Sequence, residues 1–412
     1  MMNKDVKYKD YIQEICNIFS PLNWLLKIFS INSERQKYKN PYLKIIKSAI
    51  PATVLACINL LTLYYKITYV KNRLTISVLY TDAVQMIYDI FQYMVDLFFV
   101  YKYGAELSCI YIKKYAYIDG LLGTDYYTSI RRRLIRIMGF YMFMWLSSSL
   151  FDYFIWANGF GFTITTVYSI AYIYILIKIL TNIDLTVNVM QVECRLRALA
   201  EIVRDFCSGT ESTPGITEDI NKSDWFYHEE SRKSCKPKFL SVTIISCLDR
   251  QEVRRLSKCY LLLTEQVTFI NKMYGMRILM NSLSLLIDLV RFTNLTVLLL
   301  IGSQVTGYEH GYFNMIATLW RILTCVVVIT ALVEHCERVY RQRERIVCLL
   351  DHLIIDKNLD DPLLSAFNEL RGLVQSRAIN FHMAHFIRIE YPLLVSIASV
   401  VVTYTIILLQ SS

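Results

Sequence analysis

The stretch YPLLVSIASVVVTYTIILLQSS, Tyr391 to Ser412, contains no charged residue. Pro392 opens it where a helix tolerates a missing N–H, in the first turn. The uncharged residues that follow, at ~1.5 Å each, are enough to cross a hydrocarbon core of roughly 30 Å. Within them Ser396, Ser399, Thr403, Ile406 and Gln410 recur at spacings of three and four. They therefore share one helical face, small and polar except at Ile406. A helix surrounded by lipid alone has no use for such a face. Two readings remain: close packing of helices through small residues, or the wall of a water-filled path with Ile406 as an apolar constriction.

The rest of the chain agrees with a membrane setting. Of 412 residues, 54% are hydrophobic and only 19% charged, and the mean hydropathy is +0.35. The net charge of +9 does not point to nucleic acid, because the basic residues lie between apolar runs rather than in a patch. Seven spans are predicted, near 44–65, 74–101, 134–156, 160–182, 277–301, 312–334 and 391–410. Segments 1–43, 183–276 and 335–390 are read as cytosolic. The first carries an amphipathic run with Trp24, Leu25, Ile28 and Phe29 free to lie on a membrane or pack on the bundle. Transmembrane helices 1–4 fall in 44–182 and helices 5–6 in 277–334, and the helical periodicity of Asp184 to Phe206 and Cys247 to Tyr274 carries the fourth and fifth spans on into the cytosol. Between them, 208–238 reads as a disordered insert. Asp361-Pro362 starts a further helix, with Leu363, Phe367, Leu370, Val374, Ala378 and Phe381 as its apolar stripe. The expected class is thus an all-α polytopic membrane protein with seven transmembrane helices and a cytosolic helical layer.

Lysine and arginine set the orientation. Intervals 1–42, 103–133, 183–275 and 335–390 hold 33 of them, against three in 66–73 and none in 157–159 and 302–311. By the positive-inside rule the N-terminus is intracellular and the C-terminus, after an odd number of spans, extracellular. This reverses the topology of G-protein-coupled receptors, and no G protein is required. No short apolar core precedes a cleavage site in the first 40 residues, so the first span is expected to direct insertion. The eleven cysteines show no metal spacing, and free thiols are expected. No nucleophile–base pair or phosphate-binding glycine loop suggests an enzyme, and no metal or cofactor is implied. His382 and His385 are read on the cytosolic helix, without further ligands.

The candidate sites are the polar residues inside spans, because a central acid costs ~2.5–3.5 kcal/mol on insertion scales. Asp82, Gln85, Asp89, Gln92 and Asp96 share one face of the second span. They serve buried hydrogen bonding, the outer part of a ligand cavity (Asp82, Gln85, Asp89), or a cation path. Asp288 and Arg291 are spaced to pair. Arg321 lies at a depth like that of Arg291, and Asp288 with Asp82 or Asp89 could neutralise both arginines. Trp145, Asp152, Tyr153, Trp156, Tyr168, Tyr172 and Trp320 gather toward the outer half. They form an interfacial belt or a cage for an aromatic or cationic small molecule.

Thr403-Tyr404, five mostly apolar residues and Gln410 resemble the C-terminal Thr-Tyr-(five hydrophobics)-Gln-Phe signature of insect gustatory receptors, with Ser411 in place of Phe. The resemblance implies a plasma-membrane chemoreceptor and a tetrameric ligand-gated cation channel, homomeric or heteromeric. Its pore would be lined by the seventh helix of each subunit, with Thr403, Tyr404 and Gln410 carried over from the motif. It also implies a small-molecule tastant. Thr405, where the family's sugar receptors place Glu, turns the expectation from sugars toward bitter or plant secondary compounds. An odorant receptor of the same superfamily and a transporter are the rival readings.

Overall fold

The computed structural model describes residues 2–31, 41–70, 76–123, 126–208, 250–301, 311–356 and 360–410. Most of the expected insert at 208–238 lies outside them. The elements are α1 (Met2–Ile28), α2 (Pro41–Tyr65) with a π-helical turn (Lys66–Val70), α3 (Ile76–Leu122), α4 (Tyr127–Phe160) and α5 (Phe162–Tyr168). After them come α6 (Ile170–Ser208), α7 (Arg250–Ile301), α8 (Gly311–Asp356), α9 (Asp361–Ser376), a hairpin of β1 (His382–Met383) and β2 (Ile387–Arg388), and α10 (Tyr391–Gln410). Seven of the helical stretches are long and apolar enough to cross a membrane, from Ala49–Thr68 to Tyr391–Gln410. The chain is a multi-pass membrane protein.

Four helices run far beyond a bilayer. α3 continues past its apolar part to Leu122, α6 to Ser208 and α8 to Asp356, and α7 starts at Arg250, so the layer next to the membrane is built from extensions of the spans. The hydrophobic core is continuous through both parts. α3 packs on α7, α6 on α8, and α9 on both α7 and α8. The fourth span is interrupted. Gly161 adopts φ +85, a left-handed conformation suited to glycine, and separates α4 from α5; Ser169 then separates α5 from α6.

In α1 the fully buried face is Ile15, Ile18, Leu22 and Leu26; of the amphipathic run, Trp24 and Ile28 are exposed while Leu25 and Phe29 pack against the core. Two local expectations are corrected. The stripe of α9 buries Phe367, Leu370 and Val374 as expected, but the helix ends at Ser376 and leaves Ala378 exposed. Ile379 is buried instead. His382 and His385 are in the hairpin rather than on a helix, and among the described residues no group of His, Cys, Asp and Glu could hold a metal ion. Cys16, Cys57, Cys194, Cys259, Cys325, Cys336 and Cys348 are free thiols.

Candidate functional site

The face of α3 foreseen from its spacing is wholly buried: Asp82, Gln85, Asp89, Gln92 and Asp96 are at most 3% exposed. Each acid meets a cation from another helix. Asp82 pairs with Arg291 of α7 and, at 3.1 Å, with Lys66 of the π turn. The Lys66 ammonium also lies 3.7 Å from the centre of the Tyr168 ring. Asp89 accepts from Lys178 of α6 at 2.7 Å, from Ser284 at 3.0 Å and from Gln85 at 2.6 Å. Lys178 closes the set on Asp288 at 2.5 Å, and Arg291 stands 3.9 Å from the same carboxylate.

Arg321 departs from its expected pairing. Its Nη1 lies 3.2 Å from Asp152 of α4, not beside Asp288, Asp82 or Asp89. The Asp152 carboxylate also accepts from Tyr172 at 2.7 Å and Trp156 at 2.9 Å. The guanidinium lies over the rings of Tyr172 (4.4 Å) and Phe292 (5.0 Å). Trp145 donates to the Tyr172 carbonyl at 2.9 Å, and Trp320 to Ser147 at 3.2 Å. Among the described residues this network holds four acids (Asp82, Asp89, Asp152, Asp288) against four cations (Lys66, Lys178, Arg291, Arg321). It is neutral as a whole and ties α2, α3, α4, α6, α7 and α8 together. Some polar capacity is left over. Arg321 Nε and Nη2, the Tyr168 hydroxyl and both polar atoms of the Asn314 side chain are buried without a hydrogen-bond partner among the described residues. Asn314, Thr318 and Arg321 share one face of α8.

Below this network Arg277 pairs with Asp96 at 3.1 Å and approaches Asp184 at 3.8 Å, with Tyr274 donating to Asp184 at 3.0 Å. In the layer beyond, Arg195 clasps Asp119 through Nε at 2.9 Å and Nη2 at 2.6 Å. Tyr126 and Tyr127 donate to the same carboxylate, and the Tyr115 ring faces the guanidinium at 3.7 Å. Burial raises the Tyr115 phenol to about 12, so it stays neutral there.

Lys66, Lys178, Arg277, Asp184 and Asp119 were not among the candidates from the sequence. Lys66 reads as part of an outer loop. Lys178 is a single cation in an apolar run, and an intramembrane charge is itself a signal. What no local pattern supplies is which acid it meets.

α10 leans on α7 and α8 through Leu393, Leu394, Ile397 and Val401, with Thr405 its one buried residue. At ~100° per residue, Ser396, Ser399, Thr403, Ile406 and Gln410 lie opposite this packed face, and all five are exposed, as is Tyr404. Ser396 and Thr403 return their hydroxyls to the carbonyls of Pro392 (3.1 Å) and Ser399 (2.9 Å). The start of α10 is pinned to α8: Glu337 accepts the Tyr391 N–H at 3.2 Å, while Glu334 and Arg341 bind the Tyr391 hydroxyl.

Residues 19–412 match the family model described as 7tm Chemosensory receptor. No curated protein matches the sequence. The fold is similar to the insect olfactory receptor OR5 from Machilis hrabei, alone (TM-score 0.59) and in complex with eugenol (TM-score 0.57). In both comparisons identity is 11%, and the match covers 98% of this chain and 100% of that one.

Proposed function

Because the chain belongs to the 7tm chemosensory receptor family, we propose that it is a gustatory receptor acting as a ligand-gated, non-selective cation channel. The observation that carries this reading is the exposed polar stripe of α10, turned directly away from the bundle on the most apolar span of the chain. Exposed to lipid alone, Gln410 and three hydroxyls would gain nothing. Around a shared axis, four copies would present Ser396, Ser399, Thr403 and Gln410 to water, with Ile406 as the narrow apolar ring. The partners are then further subunits, identical or related, together with cations and the membrane.

The ligand site is assigned to the outer network: Asp82, Gln85, Asp89, Trp145, Asp152, Tyr168, Tyr172, Asp288, Arg291, Trp320 and Arg321. OR5 is a relative in fold that binds eugenol, which supports a small aromatic ligand for a site rich in rings. The unused donors of Arg321 and the Asn314 amide suit a ligand with hydroxyl or carbonyl groups. Such a ligand would compete for the Arg321–Asp152 pair and shift α8, on which α10 rests, between two packings. A sugar receptor's Glu at position 405 would be buried against the bundle, where Thr405 donates to the Val401 carbonyl at 2.7 Å. That favours a bitter or plant secondary compound.

The test is current from cells expressing this chain alone, under a panel of plant phenolics with eugenol included. A ligand-evoked cation current, lost in Arg321→Ala at equal surface amount, is expected. Current that needs a shared co-receptor would favour the odorant-receptor reading, which the likeness to OR5 raises. Silence with and without partners, despite surface delivery, would overturn the channel.

A further inference from the structure

The residues on the lipid side of α3 do not all lie flush. Near the end of its apolar stretch, Val78–Gly104, α3 and α7 part to leave a cleft of about 660 Å³. Its floor is Met94, Phe98 and Met276, and its rim is Tyr103, Lys272 and His385. Met94 and Phe98, both within that apolar stretch, are 54% and 55% exposed. One to two turns further along, the character reverses. The ammonium groups of Lys102 and Lys272 stand 5.2 and 5.7 Å from the centre of the Tyr103 ring. Among the described residues neither has a carboxylate at salt-bridge distance; Glu265, two turns before Lys272 on α7, is held by Lys114 at 2.7 Å.

The third wall is the hairpin that leads into α10. Its tip, Ala384 and His385, has φ of 47 and 69 and sits on Gly275 of α7. A Cβ at Gly275 would stand 3.0 Å from the His382 carbonyl oxygen and 3.1 Å from the Ala384 nitrogen. Asn271 fixes the base of the hairpin, donating to the Asn380 carbonyl at 2.8 Å and accepting the His382 N–H at 3.0 Å. The apolar half of the cleft and its basic rim thus follow one another along the axes of α3 and α7.

We propose that this cleft is a binding site for an anionic phospholipid of the cytosolic leaflet, with its phosphate at Lys272 and Lys102 and an acyl chain along Met94, Phe98 and Met276. A purely apolar occupant leaves two ammonium groups unmatched, and a soluble anion leaves the apolar floor to other lipid. An anionic lipid satisfies both, and basic pockets between membrane helices at this face take such headgroups. The bound lipid touches the tip of the hairpin, so it holds in place the segment that orients α10. Its effect on opening rests on the channel reading above; its binding does not.

The experiment uses the purified full chain in nanodiscs containing a phosphatidylserine or a phosphatidylcholine probe with a photoreactive acyl chain. The phosphatidylserine probe should label the 94–99 and 276 peptides. Lys272→Gln should lower that labelling about fivefold, the worth of one lysine near an anionic surface. Lys258→Gln, an exposed lysine held by Tyr117, should not. Met276→Trp fills the cleft with the charges intact and should block labelling as well. Equal labelling by phosphatidylcholine, loss of labelling to free inositol phosphate alone, or cross-links from these peptides to a second copy of the chain would each overturn the proposal. Ligand-evoked current is recorded separately, so a failed channel and a failed lipid site give different results.

Discussion

Lys178 shows what a single buried charge does in this bundle. Its ammonium lies between Asp89 and Asp288 at 2.7 and 2.5 Å, and its side chain is fully buried. Removing it would leave two carboxylates facing one another with one remaining cation, Arg291, at 3.9 Å from Asp288. Breaking a buried pair by deleting one partner costs about 3–5 kcal/mol, because the other charge stays behind. Lys178→Met is therefore expected to cut surface abundance strongly, and Lys178→Met with Asp288→Asn to restore part of it. Surface biotinylation of both variants measures this; undiminished Lys178→Met protein would mean that the network carries little stability. The acids were legible in the sequence because spacings of three and four put them on one face of α3. Arg291 was legible too, spaced to pair with Asp288 and able to meet Asp82; the pairings of the other cations were not, since Lys66, Lys178 and Arg321 come from three different elements and only packing decides which acid each meets. The Arg321–Asp152 pair is the case in point.

At the scale of elements, the join between the cytosolic layer and α10 matters most. α9 ends at Ser376, the hairpin docks on Gly275, and Glu337 receives the first N–H of α10, a favourable place for a negative charge. Tyr340 binds the Ile389 carbonyl at 3.1 Å and accepts the Phe381 N–H at 3.0 Å. Gly275→Ala would push its Cβ against hairpin backbone that cannot move aside as a side chain can. About 1–3 kcal/mol of strain is expected, seen as a lower thermal midpoint of the purified protein together with altered basal current. An unchanged midpoint would show that the hairpin is only loosely seated. The exposed face of α10 makes the complementary prediction. Gln410→Ala removes an exposed amide, so surface amount should hold while ion permeability or basal current changes; unaltered currents would take α10 out of the conduction path. The stripe was legible because helical period alone defines it. The hairpin was not: His382 and His385 sit in a stretch whose spacing also fits a helix, and two-residue strands leave no alternation to read.

For the molecule as a whole, charge explains both how it sits and how it holds together. The acids and cations of the four-acid, four-cation network cancel, so that network offers no net charge to hydrocarbon, and the excess of lysine and arginine lies in segments 1–42, 103–133, 183–275 and 335–390. The described residues of those segments lie at one end of the fold. α1 packs against α3 and α4, and α9 packs against the extensions of α7 and α8, with Phe206 of α6 against Phe367. Translocating that layer would drag dozens of charges through the membrane, whereas the opposite intervals 157–159 and 302–311 carry no lysine or arginine. By the positive-inside rule the basic end is expected in the cytosol. With seven crossings, a tag placed after Ser412 should be stained on intact, unpermeabilised cells, and a tag before Met1 only after permeabilisation. The reverse pattern would place α9 and the hairpin outside. It would remove the G-protein-independent topology, and the lipid cleft would face the wrong leaflet. The expected pattern puts Gln410 at the outer mouth and the α9 layer at the inner one, which is the polarity a channel needs if its ligand arrives from outside.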